Sequence, residues 1–407
     1  MNETLITLLV LILGVGGIAL YVLNFKPRKK SKVKDLYAEG LDLLITGKRK
    51  AAYQNFKEII QKDSENIKAY LKLGQVLREG GNHSNALKIH KGLLHRRKLT
   101  HYEQVELHKN LAMDYQQAGK IKLAVTELEA LLKLEKNNEW AMSQLTSIYR
   151  KEKDWKKAGE TFEKFVKMTG RDDKHKLSLF KIQEGRVLTQ NKQFSDARRI
   201  YEEALAINEN LAVAYYFIGN SYSEESEVEY QKSLKTDTLH SSGDEPDYMA
   251  RAKELLSKAI PMWMRYAELK PESAWMVIHL LKDGLFALDR YPEIEEILKQ
   301  ILKLDEDNIE VIASLSEIYS HRGENVEALE LIDSALEQDS TSLIVKLIKM
   351  KLQARKEKSS NEFIRGLDDI IHFLVTDERF QIYKNTATDP DIIWLYETGG
   401  KKEVPKA

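Results

Sequence analysis

Residues 35–63, DLYAEGLDLLITGKRKAAYQNFKEIIQKD, and residues 69–94, AYLKLGQVLREGGNHSNALKIHKGLL, decide the fold. Laid one above the other, they share a spacing: a small residue at position 8, an aromatic or leucine at 11, alanine at 20 and a larger side chain at 24. Gly40, Leu43, Ala52 and Phe56 fill these places in the first stretch. Tyr70, Leu73, Gly74, Leu77 and Ala86 belong to the second, with His90 at position 24. The pattern continues along the chain through Leu111, Ala112, Tyr115, Ala124 and Leu128, then Leu145, Tyr149, Ala158 and Phe162. Gly185, Leu188, Ala197 and Tyr201 follow, and Tyr215, Ile218, Gly219 and Tyr222 open a sixth unit. Leu315, Tyr319, Ala328, Ile332 and Ala335 form a later clear unit, and residues 274–305 a degenerate one.

A period of about 34 residues is that of the tetratricopeptide repeat, a helical hairpin. The small residues at 8 and 20 let the two helices of a hairpin touch, and the larger ones fill the space toward the next hairpin. Gly-Lys at Gly47 and Gly119, Gly-Gly-Asn at Gly80 to Asn82 and Arg-Gly-Glu at Arg322 to Glu324 mark turns between helices. The spacing predicts an all-α tetratricopeptide-repeat superhelix, an α-solenoid of eight or nine hairpins. Repeats are expected over 35–222 and, in degenerate form, over 249–375. Two linkers run long, because Ala86 to Ala124 is 38 residues and Ala158 to Ala197 is 39. Residues 223–248, SEESEVEYQKSLKTDTLHSSGDEPDY, are polar and mostly without periodicity. They read as an exposed insertion with at most one short helix.

Outside the repeats, Leu5 to Phe25 is an uncharged run of 21 residues, LITLLVLILGVGGIALYVLNF. At roughly 1.5 Å per residue it is long enough to cross the hydrocarbon core of a bilayer. Lys26, Arg28, Lys29, Lys30, Lys32 and Lys34 follow it, and only Glu3 precedes it. The asymmetry predicts an anchor over 1–25 and a basic juxtamembrane segment over 26–34, with the repeats on the cytoplasmic side of the membrane. A cleaved leader would need a basic start and a small-residue cleavage site, neither of which is present.

The composition narrows the function. The chain of 407 residues has 63 basic and 63 acidic side chains, so it lacks the basic excess of a nucleic-acid-binding body. It has no cysteine, which excludes disulfides, thiolate metal sites and cysteine nucleophiles. No phosphate loop, nucleophile elbow, paired-histidine zinc motif or calcium loop occurs. The expectation is a binding protein, with no catalytic residue, metal or cofactor. Trp140, Trp155, Trp263 and Trp275 fall at helical spacing and are expected in packing roles. In this architecture the first helix of each hairpin lines a concave groove, and Arg78, Lys109, Arg150, Arg186, Tyr216 and Asn220 take its ligand-facing positions. Such a groove suits an acidic peptide held by charge-assisted hydrogen bonds, or it is simply a solvated face. The lysine and asparagine of a two-carboxylate clamp are missing, since Tyr37 and Leu41 stand there.

The anchor followed by the two opening stretches, and then by Leu99 to Lys120, LTHYEQVELHKNLAMDYQQAGK, resembles the lipopolysaccharide assembly protein B family. Members of that family end in a rubredoxin-like module with two Cys-x-x-Cys knuckles. The tail here, FQIYKNTATDPDIIWLYETGG, puts Ile382, Asn385, Tyr396 and Gly399 at the cysteine positions and Trp394 at the family's tryptophan. Residues 376–407 thus read as a metal-free relic of that module, or as an unrelated tail. The resemblance implies an adaptor at the bacterial inner membrane. Its partners would be a membrane AAA protease and the deacetylase of the lipid A pathway, and its effect would be to promote proteolysis of that deacetylase. The competing reading is a scaffold for another membrane-associated assembly.

Overall fold

The computed structural model describes residues 33–96, 98–236, 247–356, 361–376 and 390–398. Every regular element among them is helical. The hairpins run α1 (Val33–Ile45) with α2 (Arg49–Lys62), α3 (Ile67–Glu79) with α4 (His83–Leu93), and α5 (His101–Gln117) with α6 (Ile121–Leu134). Next come α7 (Glu139–Lys151) with α8 (Trp155–Thr169), α9 (Lys174–Gln190) with α10 (Phe194–Ile207), and α11 (Ala212–Thr236) with α12 (Tyr248–Leu269). The series closes with α13 (Trp275–Ala287) and α14 (Glu293–Leu304), α15 (Ile309–His321) and α16 (Asn325–Gln338), α17 (Leu343–Lys356) and α18 (Asn361–Thr376), and a last helix α19 (Pro390–Thr398). Two compact units divide within α7, the first ending at Gln144 and the second beginning at Leu145. The predicted anchor and most of the basic segment lie outside the described residues. Among the residues described, no helix is long and apolar enough to cross a membrane.

The helices begin where the side chains dictate. Asn66, Asn82, Asp173 and Asn308 each accept a hydrogen bond from a backbone N–H one turn into α3, α4, α9 and α15. Thr100 and Glu103 close a reciprocal capping box at the start of α5. Turns within hairpins need one left-handed residue, supplied by Gly119 at φ 69° after α5. Lys153 and Lys192 adopt the same conformation without glycine, at φ 60° and 61°.

The period has a direct packing cause. A Cβ on Gly74 would stand 2.3 Å from the His90 ring, and one on Gly185 would stand 2.3 Å from the Tyr201 ring. In each case the large side chain lies sixteen residues on, so position 24 of the second helix fills the hole left at position 8 of the first. Gly40 and Phe56 repeat the arrangement. In the first unit this places Phe56 and Ile59 in a fully buried core with Leu36, Leu73 and Val76. Gly185→Ala is expected to cost about 1–3 kcal/mol by overpacking against the buried Tyr201 ring. Pairing it with Tyr201→Leu should recover much of the loss in urea unfolding. An unchanged midpoint for Gly185→Ala would show that the hole is not needed.

Residues 223–248 differ from the sequence expectation. Residues 223–236 continue α11 as one helix, and α12 packs along it. Tyr222, Ser226, Glu229 and Ser233 form one helical stripe toward α12, with Ser226 Oγ donating to the Ala252 carbonyl at 2.7 Å. The periodicity was present, but polar residues carried it. The elongated hairpin also moves the filling side chain. Gly219 is filled by Trp263, whose Nε1 would be 2.5 Å from an added Cβ. The rest of the predicted insertion, residues 237–246, lies outside the described residues.

Candidate functional site

The inner-face positions predicted for ligand contact fall into three environments. Arg78 is closed off. Its guanidinium donates to Asn110 Oδ1 at 3.1 Å and to Asp114 Oδ1 at 2.8 Å, and only 8% of the residue is exposed. Asp114 in turn meets His90 Nδ1 at 2.5 Å, and His90 Nε2 lies 3.1 Å from the Leu71 carbonyl. Arg78 is therefore a structural cation between α3 and α5, not an open groove residue. Neighbouring inner helices approach closely enough there to neutralise it.

Tyr216 and Asn220 are likewise drawn inward. Tyr216 is buried between the Phe217 and Tyr266 rings, and Asn220 Oδ1 accepts from Trp263 Nε1 at 2.9 Å. The expected place of Tyr216 on an open groove is corrected, since its ring is buried; Asn220 stays partly exposed, bonded to the tryptophan that fills the Gly219 hole. Lys109 remains partly exposed, with its ammonium 5.2 Å from the centre of the Trp140 ring.

Arg150 and Arg186 meet another segment of the chain itself. Helix α19 sits on α9. Trp394 stands edge-on to Phe180 at 5.8 Å and lies under the Arg150 guanidinium at 5.5 Å. The Leu395 carbonyl accepts from Gln183 Nε2 at 2.5 Å and from Arg186 Nη1 at 3.2 Å. Asp391 pairs with His175 Nε2 at 2.6 Å. This is a helix held by one aromatic anchor, with side-chain donors on a carbonyl in its last turn. Sequence reasoning missed His175, Phe180 and Gln183. They share α9 with Arg186, and Phe180, Gln183 and Arg186 follow at steps of three, a same-face spacing that was the available signal.

The tail itself also departs from expectation. Tyr396, assigned to a second knuckle, lies within a helix and not on a knuckle turn. Ile382, Asn385 and Gly399 lie outside the described residues. Among the residues described, no three histidine or carboxylate side chains are grouped to hold a metal ion.

A second cluster spans α13, α15 and α17. Lys282 Nζ and Lys351 Nζ lie 2.8 and 2.7 Å from opposite oxygens of Glu317. Burial alone would raise the Glu317 pKa, but the two ammonium groups overcome it and hold the carboxyl down at about 2. The three residues are 35 and 34 positions apart, one repeat each. Searching for like positions of opposite charge would have found them.

The tetratricopeptide-repeat family model matches residues 185–214 and residues 285–349. The two matched segments fall on stacked helical hairpins of the kind that tetratricopeptide repeats form. A crystal structure of a tetratricopeptide repeat protein from Parabacteroides merdae superposes with a TM-score of 0.32 at 12% identity, covering 79% of this chain and 98% of that one.

Among curated proteins, the chain is similar to lipopolysaccharide assembly protein B of two bacteria. The Escherichia coli K12 protein is 22% identical over 240 residues, 59% of each chain. The Haemophilus influenzae protein is 24% identical over 245 residues, 57% of this chain and 61% of its own. The chain thus spans about three fifths of the length of these relatives.

Proposed function

We propose that the chain is an adaptor, tethered to the bacterial inner membrane by residues 5–25, that binds protein partners on the inner face of its repeats. The seat of α19 carries this reading. A helix with a tryptophan anchor rests on Phe180, Arg150, Gln183 and Arg186, so that face has the shape and chemistry to receive a helix from a partner. The names of the relatives support partners in lipopolysaccharide assembly. In this reading the partners are the deacetylase of the lipid A pathway and a membrane AAA protease, and the adaptor promotes proteolysis of the first by the second. A membrane tether raises the local concentration of the groove toward other membrane-bound proteins without any new contact.

Depleting the protein should raise the cellular level of the deacetylase. Unchanged deacetylase turnover would count against the pathway and favour a scaffold for another envelope assembly. The groove is tested separately, by recovery of partners from detergent-solubilised membranes. Arg186→Glu combined with Arg150→Glu should abolish that recovery, because both cations face the occupied seat. Equal recovery sinks the groove assignment. Arg78 is unsuitable for this test, since a carboxylate beside Asp114 would disrupt the fold.

A further inference from the structure

The turn of the first hairpin is unlike the later ones. Ile45, the last residue of α1, is 84% exposed, the most of any large apolar side chain among the described residues. Thr46 and Gly47 make the turn, and Lys48, Arg49 and Lys50 follow in sequence, all exposed. Gly-Gly-Asn at Gly80 to Asn82 and Arg-Gly-Glu at Arg322 to Glu324 take the same place in later hairpins, with at most one base in each. Lys48, Arg49 and Lys50 make no ion pair among the described residues.

The basic character continues along α2. Lys57 is exposed one turn beyond Tyr53, with its ammonium 5.9 Å from the centre of the Tyr53 ring. Arg49, Tyr53 and Lys57 are four residues apart, so they share one face of the helix, with Lys50 at its edge. The acids of the hairpin do not cancel this charge. Glu58 is paired with Lys62 at 2.7 Å, and Asp35, Glu39 and Asp42 are exposed on α1 instead.

An isoleucine standing in water beside four cations and a tyrosine has the composition of a segment that lies in a bilayer interface. The apolar side chain enters the acyl boundary, the tyrosine sits at headgroup level and the cations meet lipid phosphates. An acidic protein would answer the cations but gives no reason for Ile45 to be exposed. Position supports the same occupant. Seven residues, 26–32, separate the end of the uncharged run from α1. Extended, they reach about 25 Å and α1 adds about 20 Å, so the turn stays within about 45 Å of the bilayer. With α1 laid along the surface, the turn meets the headgroups.

We propose that Ile45, Lys48, Arg49, Lys50, Tyr53 and Lys57 form a second contact with the membrane, one that requires anionic lipid headgroups. It rests on the tether of the proposed function, which brings the hairpin to the bilayer, and on no protein partner. Its effect is to fix which way the first hairpin faces, where a tether alone would let it turn freely.

The chain has no cysteine, so Thr46→Cys offers one attachment point for an environment-sensitive fluorophore and leaves Ile45 in place. The labelled full chain is reconstituted with vesicles of phosphatidylcholine alone, or of equal parts phosphatidylcholine and phosphatidylglycerol. Emission should brighten and shift to shorter wavelength in the anionic vesicles only. Molar salt, where the screening length falls to about 3 Å, should reverse the shift. Lys48→Glu, Arg49→Glu and Lys50→Glu together should return the label to water. Glutamates at a helix N-terminus suit its dipole, so the melting curve should stay in place. Equal emission in the two vesicle types, or a shift that survives the triple reversal, overturns the contact. Flotation of the same samples reports the tether separately. A chain that floats with both vesicle types while its label stays in water keeps the tether and loses the contact. One that floats only with anionic vesicles, with its label shifted, keeps the contact and loses the tether; floating with neither overturns both.

Discussion

Asp114→Ala destabilises the first unit by about 3–5 kcal/mol, the usual penalty for removing one partner of a buried ion pair. The reason is what the substitution leaves behind. Asp114 is fully buried between Arg78 Nη1 at 2.8 Å and His90 Nδ1 at 2.5 Å. Without the carboxylate, Arg78 keeps Asn110 as its partner but loses its counter-ion in a site closed to water. Stacked repeats open locally, so the readout is amide hydrogen exchange in α3 to α6 and not a single global midpoint. Faster exchange confined to those helices is the expected result, and exchange at the wild-type rate would contradict it. Replacing Arg78, His90 and Asp114 together by Met, Leu and Leu should cost far less, because no charge is then stranded.

The second large effect concerns Glu317 and acid. A carboxyl held down at about 2 in the fold, against 4.5 unperturbed, contributes roughly 3 kcal/mol to stability when ionised in both states. The folded pKa is the lower one, so the contribution is complete above pH 4.5. It falls away as pH drops from there toward 2, where the native carboxyl also takes a proton. Lys282 moves in the matching sense: burial would lower its pKa, and the attraction of Glu317 raises it instead. Urea unfolding of the wild type should therefore weaken steeply between pH 5 and pH 3. Glu317→Gln should be weaker at pH 7, because two ammonium groups lose their counter-charge, and should respond less to acid. A variant that keeps the wild-type acid response would show that this carboxylate is not the source.

The repeats were legible because steric necessity writes them into the sequence at fixed intervals. Gly185 requires space for Tyr201, and Gly40 for Phe56, whatever surrounds them. The long hairpin was not legible, since Ser226, Glu229 and Ser233 occupy the facing stripe of α11 and a search for apolar periodicity passes over them. The predicted ligand positions were legible only in part. The repeat number singled out Arg150 and Arg186, which meet α19, but it could not say that Arg78 would be neutralised by residues 32 and 36 positions away. Nothing local announces that Trp394 returns to Phe180. That pairing depends on the three-dimensional path of the chain and not on any helix's own periodicity.

That returning helix sets terms for every visitor to its seat. While Trp394 rests between Arg150 and Phe180, an incoming helix meets a filled place and must evict the resident before it gains anything. Its measured affinity is the intrinsic one scaled down by the fraction of molecules in which the seat stands empty. The evicted helix stays on the same chain, so diluting the protein does not weaken its competition. Every visitor is weakened by that same factor: a weak binder no longer holds the seat, and a strong one still opens it for itself.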